Sequence, residues 1–176
     1  MKSSSKFVVA THIMATLAVF KLATGKCRPV KSDFISASVN TNAVVVRRIL
    51  GMLQKAGLVE SQTGPDGGSQ LVRHPKQITL YQIYEAVDES DLFHLHYQLP
   101  NQSCPIGYNI QDALSETFSD TQEAVRKVLA KKTIAEVAQE IMDRSGISEK
   151  LASGLTVEKI QQNFAFNAGK FVQKLS

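Results

Sequence analysis

Cysteine is scarce in this chain: Cys27 and Cys104 are the only two in 176 residues, and neither sits in a CxxC or zinc-finger spacing. That excludes a disulfide framework and makes the cytoplasm the natural compartment. Catalytic signatures are missing as well. The glycine-rich run Gly64-Pro65-Asp66-Gly67-Gly68 lacks the Lys-Ser/Thr of a phosphate-binding loop and leads into a strand pattern rather than a helix. No dinucleotide fingerprint and no nucleophile-base-acid grouping accompanies it, so an enzyme is not expected. Long apolar runs are absent too. The stretch from Phe7 to Phe20 follows Lys2 and Lys6 as a signal peptide would, but His12 interrupts it and no clean small-x-small cleavage site follows. It is too short and broken for a membrane span, and no membrane partner is expected. No internal repeat or low-complexity run is present, and the lack of Trp decides nothing.

What remains is an ordinary folded composition, 43% hydrophobic and 20% charged, long enough for one core with a helical appendage. The formal net charge of +4 and a pI near 9.1 are compatible with a polyanionic partner. Placement says more than the sum. Arg47, Arg48, Lys55 and Arg73 outnumber Glu60 and Asp66 in one stretch, while acids gather later at Glu85, Asp88, Glu89 and Asp91.

That basic stretch, residues 40–74, organises the rest. Asn40, Thr41 and Asn42 supply capping oxygens; Val45, Val46, Ile49, Leu50, Leu53 and Ala56 then recur with helical period, and Gly57 ends the helix. Residues 58–63 and 69–73 read as two strands around a glycine-rich tip. Before it, residues 3–23 read as a largely buried helix capped by Ser3, Ser4 or Ser5. A short helix capped by Ser32 follows, with Phe34, Ile35 and Val39 facing inward. Two helices joined by so short a turn cross steeply, as in a helix-turn-helix. Leu80, Ile83, Tyr84 and Val87 predict a closing helix capped by Thr79.

From about Asn109 the stripe Ile110, Leu114, Phe118, Thr121, Val125, Val128 and Leu129 predicts a long helix whose narrow apolar face needs a partner. Thr133 and Glu136 form a capping box for another. Val157, Ile160, Phe164, Phe171 and Leu175 continue at helical spacing. The fold class expected is mainly α with a small β-hairpin: a winged helix-turn-helix domain over residues 1–87, a sensor-type loop over 88–108, dimerisation helices over 109–146, and a helical extension over 147–176.

Ser5-Lys6-Phe7, Arg47 to Leu50, Lys55-Ala56-Gly57-Leu58-Val59, the run Gly64 to Gly68, and Tyr84-Glu85-Ala86-Val87-Asp88 follow one another in an order that resembles the Rrf-two family of bacterial transcription regulators. The resemblance covers about residues 1–145. It implies a homodimer joined through the long helix and bound to a pseudo-palindromic operator in double-stranded DNA, most often as a repressor. Two departures matter. Cluster-binding members carry three cysteines in the loop after the winged domain, where only Cys104 stands here, so no iron-sulfur cluster or other cofactor is expected. Thr63 replaces the wing arginine of some members, which weakens the case for base reading by the wing.

Candidate DNA contacts are residues 41–48 and the wing. Arg47 and Arg48 present guanidinium forks to phosphate or guanine edges. A solvated helix face is the alternative, and their place just inside a helix-turn-helix favours DNA. Val44 lies on the same reading segment. Asn40, Thr41 and Asn42 serve as caps, phosphate contacts or adenine readers. Gly64, Pro65, Gly67 and Gly68 serve the turn or allow close approach to phosphate, with Gln62, Thr63 and Ser69 as neighbouring donors. Ser5 and Lys6 add a phosphate clamp or a plain cap at the first helix. In the acidic loop, Cys104 is either a redox sensor or inert, and with His94 and His96 it offers three metal ligands without a recognisable fourth. No metal is therefore assigned, and the effector is unknown. Two rival functions remain: a protein-interaction winged helix, and a metal- or thiol-responsive regulator built on the Cys104 loop.

Overall fold

The computed structural model describes residues 3–25, 28–64, 67–88, 93, 96–167 and 170–174. The first helix, α1 (Ser3–Thr24), is the post around which the domain is built. Ala10, Ile13, Met14, Ala15, Leu17 and Ala18 are buried around it, which explains why no single face of its sequence is apolar. By length and composition α1 would also suit a membrane. Its apolar surface is instead used as core, packed by α2 (Ser32–Val39), α3 (Ala43–Lys55), α4 (Leu80–Val87) and α6 (Ile134–Ser145).

Helix α3 follows its periodicity. Val46, Ile49, Leu50 and Leu53 are buried, and the Asn42 side chain accepts from the Val44 amide at 2.8 Å. Fully burying each such aliphatic side chain stabilises the fold by about 1.5–3 kcal/mol. Ala56, expected on this stripe, is exposed at the helix end, where Gly57 (φ +67°) turns the chain into the wing. Strands β1 (Val59–Gln62) and β2 (Gly68–Leu71) pair antiparallel from Val59↔Leu71 to Gln62↔Gly68. The return strand ends at Leu71 rather than at Arg73. Val30 adds a third rung beside the hairpin: its amide donates to the Ser69 carbonyl at 2.8 Å, and the Ser69 amide returns a bond at 2.9 Å. A Cβ on Gly68 would lie 2.7 Å from the Val30 carbonyl, so glycine is required there.

Two capping boxes close the domain: Thr133 with Glu136 on α6, as the sequence implies, and on α4 the expected Thr79 cap, to which Gln82 adds the reciprocal bond. They also meet. The Leu80 amide donates to the Lys132 carbonyl at 2.9 Å and the Ile134 amide to the Ile78 carbonyl at 2.8 Å. Ile134 and Ala138 enter the main core. Helix α6 is therefore packed into the body, although its sequence groups it with the dimerisation helices of residues 109–146.

Other elements depart from the reading in ways with simple causes. Helix α5 (Pro105–Lys131) begins at Pro105, with Cys104 at its N-cap. Proline suits the first turn of a helix as well as a loop, and the loop interpretation misplaced the start. Lys31, not Ser32, occupies the N-cap of α2, without a side-chain bond. Ile35 is its buried residue; Phe34 is 43% exposed, with its ring edge-on to Phe20 at 5.4 Å. After α7 (Ile147–Ala152) and α8 (Val157–Asn163), the expected helical tail becomes a hairpin, β3 (Phe164–Asn167) with β4 (Lys170–Gln173). Phe164, Phe166 and Phe171 fit alternation at least as well as helical spacing, and aromatic pairs across strands favour the hairpin. Leu175 of that stripe lies outside the described residues.

Candidate nucleic-acid interface

The α2–α3 turn aims the reading helix outward. Asn40 takes a left-handed conformation (φ 53°), and the amides of Asn40 and Thr41 return to the Ala37 and Ser36 carbonyls. Asn40 thus ends α2 rather than capping α3. The cap falls to Asn42, whose Oδ1 is already engaged. Thr41 is half-buried beside it.

Arg47 and Arg48 are exposed on the outer face of α3, and neither is ion-paired with another described residue. Two unopposed guanidinium groups on a rigid, capped helix are suited to a polyanion. Val44, one turn earlier, is 64% exposed, an apolar side chain offered to solvent at the start of the reading helix.

A cleft of about 550 Å³ opens between the start of α2, α3 and the wing. Arg47 lines it together with Gln62, Thr63, Gly64, Gly67, Gly68 and Ser69 of the predicted set; Ser5, Lys6, Asn40, Thr41, Asn42, Val44 and Arg48 do not. Lys31, Asp33 and Gln54 also line it and were missed. The signal for Lys31 was a basic residue directly ahead of the helix-turn-helix.

Ser69 needs correction. It is 3% exposed and its hydroxyl bonds Ser61 Oγ at 2.9 Å, so Ser61, not Ser69, shows at the wing surface. Gly67 has a structural duty, since a Cβ there would lie 2.4 Å from the Gln62 carbonyl oxygen. Gly64, exposed at φ +112°, has open space around it and suits close backbone approach. Pro65 lies outside the described residues. Ser5 and Lys6 are half-buried within the early turns of α1.

The loop candidates divide. His94 lies outside the described residues, and His96 is exposed with Nδ1 engaged by residue Gln98 in a local turn. Among the described residues no group of three His, Cys, Asp or Glu side chains could hold a metal. Cys104 sits at a helix start rather than in the loop that the sequence suggests. At the N-cap of α5 the amides of Gly107 and Ile106 hold its thiol below the usual pKa. The missed signal was Pro105, which marks a helix start.

With this geometry in view, comparison with known proteins is decisive. The family model for Rrf2, described as an iron-dependent transcriptional regulator, matches residues 3–140. The chain belongs to the Rrf2 family. It is 38% identical over 135 residues to YwnA of Bacillus subtilis (strain 168), named as a candidate HTH-type transcriptional regulator, covering 76% of this chain and 95% of that one. It is 28% identical over 146 residues to the HTH-type transcriptional regulator IscR of Aliivibrio salmonicida, covering 79% and 84%. Among solved structures, CymR, the global cysteine regulator of B. subtilis, superposes with a TM-score of 0.59 at 24% identity over 80% of this chain and 98% of CymR. IscR of T. potens gives 0.56 at 21% over 80% and 88%. The Rrf2 fold is thus a winged helix-turn-helix, and the relatives are transcriptional regulators rather than enzymes. The family description invokes iron, but two cysteines in the whole chain cannot supply three thiolate ligands from one loop, so the residues present do not fit an iron-sulfur cluster.

Proposed function

We propose that this Rrf2 regulator is a cytoplasmic homodimeric repressor that binds a pseudo-palindromic operator without an iron-sulfur cluster. The observation that carries the reading is Arg47, exposed and without an ion-pair partner among the described residues, over a cleft whose far wall is the wing. α3 enters the major groove, with residues 41–48 presented to base edges and phosphates, and the wing backbone lies along the phosphates. Dimerisation is assigned to α5. Ile106 (75% exposed), Ile110 (39%), Leu114 (38%) and Val128 (67%) leave an apolar stripe open, and no residue of α5 is buried. The signal is received in residues 88–108 and alters the spacing or angle of the two reading heads. Operator selection from sheared genomic DNA, followed by binding to the recovered fragment across a salt series, tests this. A steep negative dependence with a defined two-fold site is expected, and a flat response without sequence preference overturns it.

The amides facing Cys104 favour a thiol-responsive version of the same function, in which oxidation at the N-terminal end of α5 changes operator affinity. Peroxide treatment should change binding by the native chain and not by Cys104→Ser.

A further inference from the structure

A second cavity lies away from the reading surface, walled by α1, α2, α6 and the C-terminal extension. Its volume is about 270 Å³, and Val19, Phe20, Phe34, Ile141, Ile160 and Phe171 make its lining almost wholly apolar. Three polar residues stand on the wall among the described residues: Thr16, whose hydroxyl donates to the His12 carbonyl of its own helix at 3.0 Å, and the pair His12 Nε2 and Ser38 Oγ, 3.0 Å apart. Partial burial holds the His12 imidazole below its usual pKa, which favours the neutral ring, one nitrogen a donor and the other an acceptor.

We propose that this cavity is a ligand site for a small apolar molecule, one ring bearing a short alkyl group and a single hydroxyl or carbonyl, and that its occupation tunes DNA binding. Size sets the class. An apolar cavity of about 150 Å³ already takes benzene, and ordinary ligand pockets begin near ~300 Å³. The wall accepts a ring among three phenylalanines, and the His12–Ser38 pair accommodates one polar substituent. Ile147, Ile160 and Phe171 lie beyond residue 140, where the family match ends, so the extension completes a wall that the family core leaves open.

Coupling to DNA follows from the same contacts. His12–Ser38 and the Phe20–Phe34 edge contact both span α1 and α2, and α2 packs against α3. A ring pressed between them changes the seating of the helix-turn-helix on its post.

The coupling rests on the regulator reading, whereas the site itself does not. The full-length chain, labelled at isoleucine δ1 methyls, is titrated with p-cresol and, for comparison, toluene. Saturable shifts at Ile141, Ile147 and Ile160 are expected, with p-cresol preferred and the preference lost in His12→Ala. Ile141→Trp and Thr16→Phe, on different helices, each place a ring in the cavity; whichever retains the native melting transition should bind p-cresol about tenfold more weakly or worse. Absence of saturable shifts, or equal shifts in both the native chain and a folded occluded variant, overturns the site. With p-cresol bound, affinity for the selected operator fragment should change about fivefold or more. An unchanged affinity overturns the coupling alone. Failure to select any operator, with the methyl shifts intact, overturns the regulator reading and leaves the site standing.

Discussion

Arg47 and Arg48 are adjacent in sequence yet differ in surroundings, since only Arg47 borders the cleft shared with the wing. Arg47→Ala should weaken operator binding by about 1–3 kcal/mol; relaxed specificity at one base pair would mark base contact, and a uniform loss with a smaller salt slope would mark phosphate contact. Equal behaviour of Arg48→Ala in all respects would show that the cleft confers nothing. Asn42 makes a separate prediction. Its Oδ1 caps α3, so Asn42→Ala should lower unfolding free energy by about 0.5–2 kcal/mol in urea melts, whatever it does to DNA binding. At Cys104 the sign is fixed by the amides of Gly107 and Ile106. They depress the folded pKa, so the thiolate survives to lower pH in the folded chain than in the unfolded one, and any linked stability is lost as pH falls through the folded value. Iodoacetamide reactivity should therefore fall off at lower pH in native protein than in urea; coincident profiles would refute the helix-cap explanation.

Among the elements, α5 offers the clearest separation of folding from assembly. Because none of its residues is buried within the chain, Leu114→Glu should convert a dimer to a monomer in sedimentation while leaving the winged domain folded by circular dichroism. If the monomer lost its tertiary structure, α5 would be a folding element instead. The elements also show where sequence was readable. Helix α3, its Asn42 cap, the hairpin around Gly64 to Gly68, the Thr79 cap and the Thr133–Glu136 capping box announce themselves through local chemistry: period, cap and turn residue all agree. The start of α5 and the C-terminal hairpin do not, because Pro105 and the spacing of Phe164 and Phe171 each satisfy two local rules. The packing of α6 on α1 is non-local, and nothing in the stretch Thr133 to Ser145 names its partner. For the same reason Lys31 and Gln54 could be assigned to the cleft only once α2 and the wing were brought together, and the burial of Ser69 became visible only with the Val30 rung beside it.

Across the whole molecule, charge and architecture act together. The net charge of +4 is modest, so attraction to DNA depends on where cations stand rather than on their number. Lys31 and Arg47 share a cleft in which Asp33 is the one acid among the described lining residues. Asp33→Asn should strengthen operator binding and raise the association rate at low salt more than at high salt, since screening removes the difference; a salt-independent change would point to a direct contact instead. The seam between the two capping boxes bears on how a signal could cross the chain. Two amide rungs, from Leu80 to Lys132 and from Ile134 to Ile78, clamp the near end of α5 to the body. On the proposed function, a rod about 40 Å long, bolted at its base by these rungs, should deliver a twist imposed on its distant tip, where Cys104 stands, to the winged domain as rotation of the body as a whole.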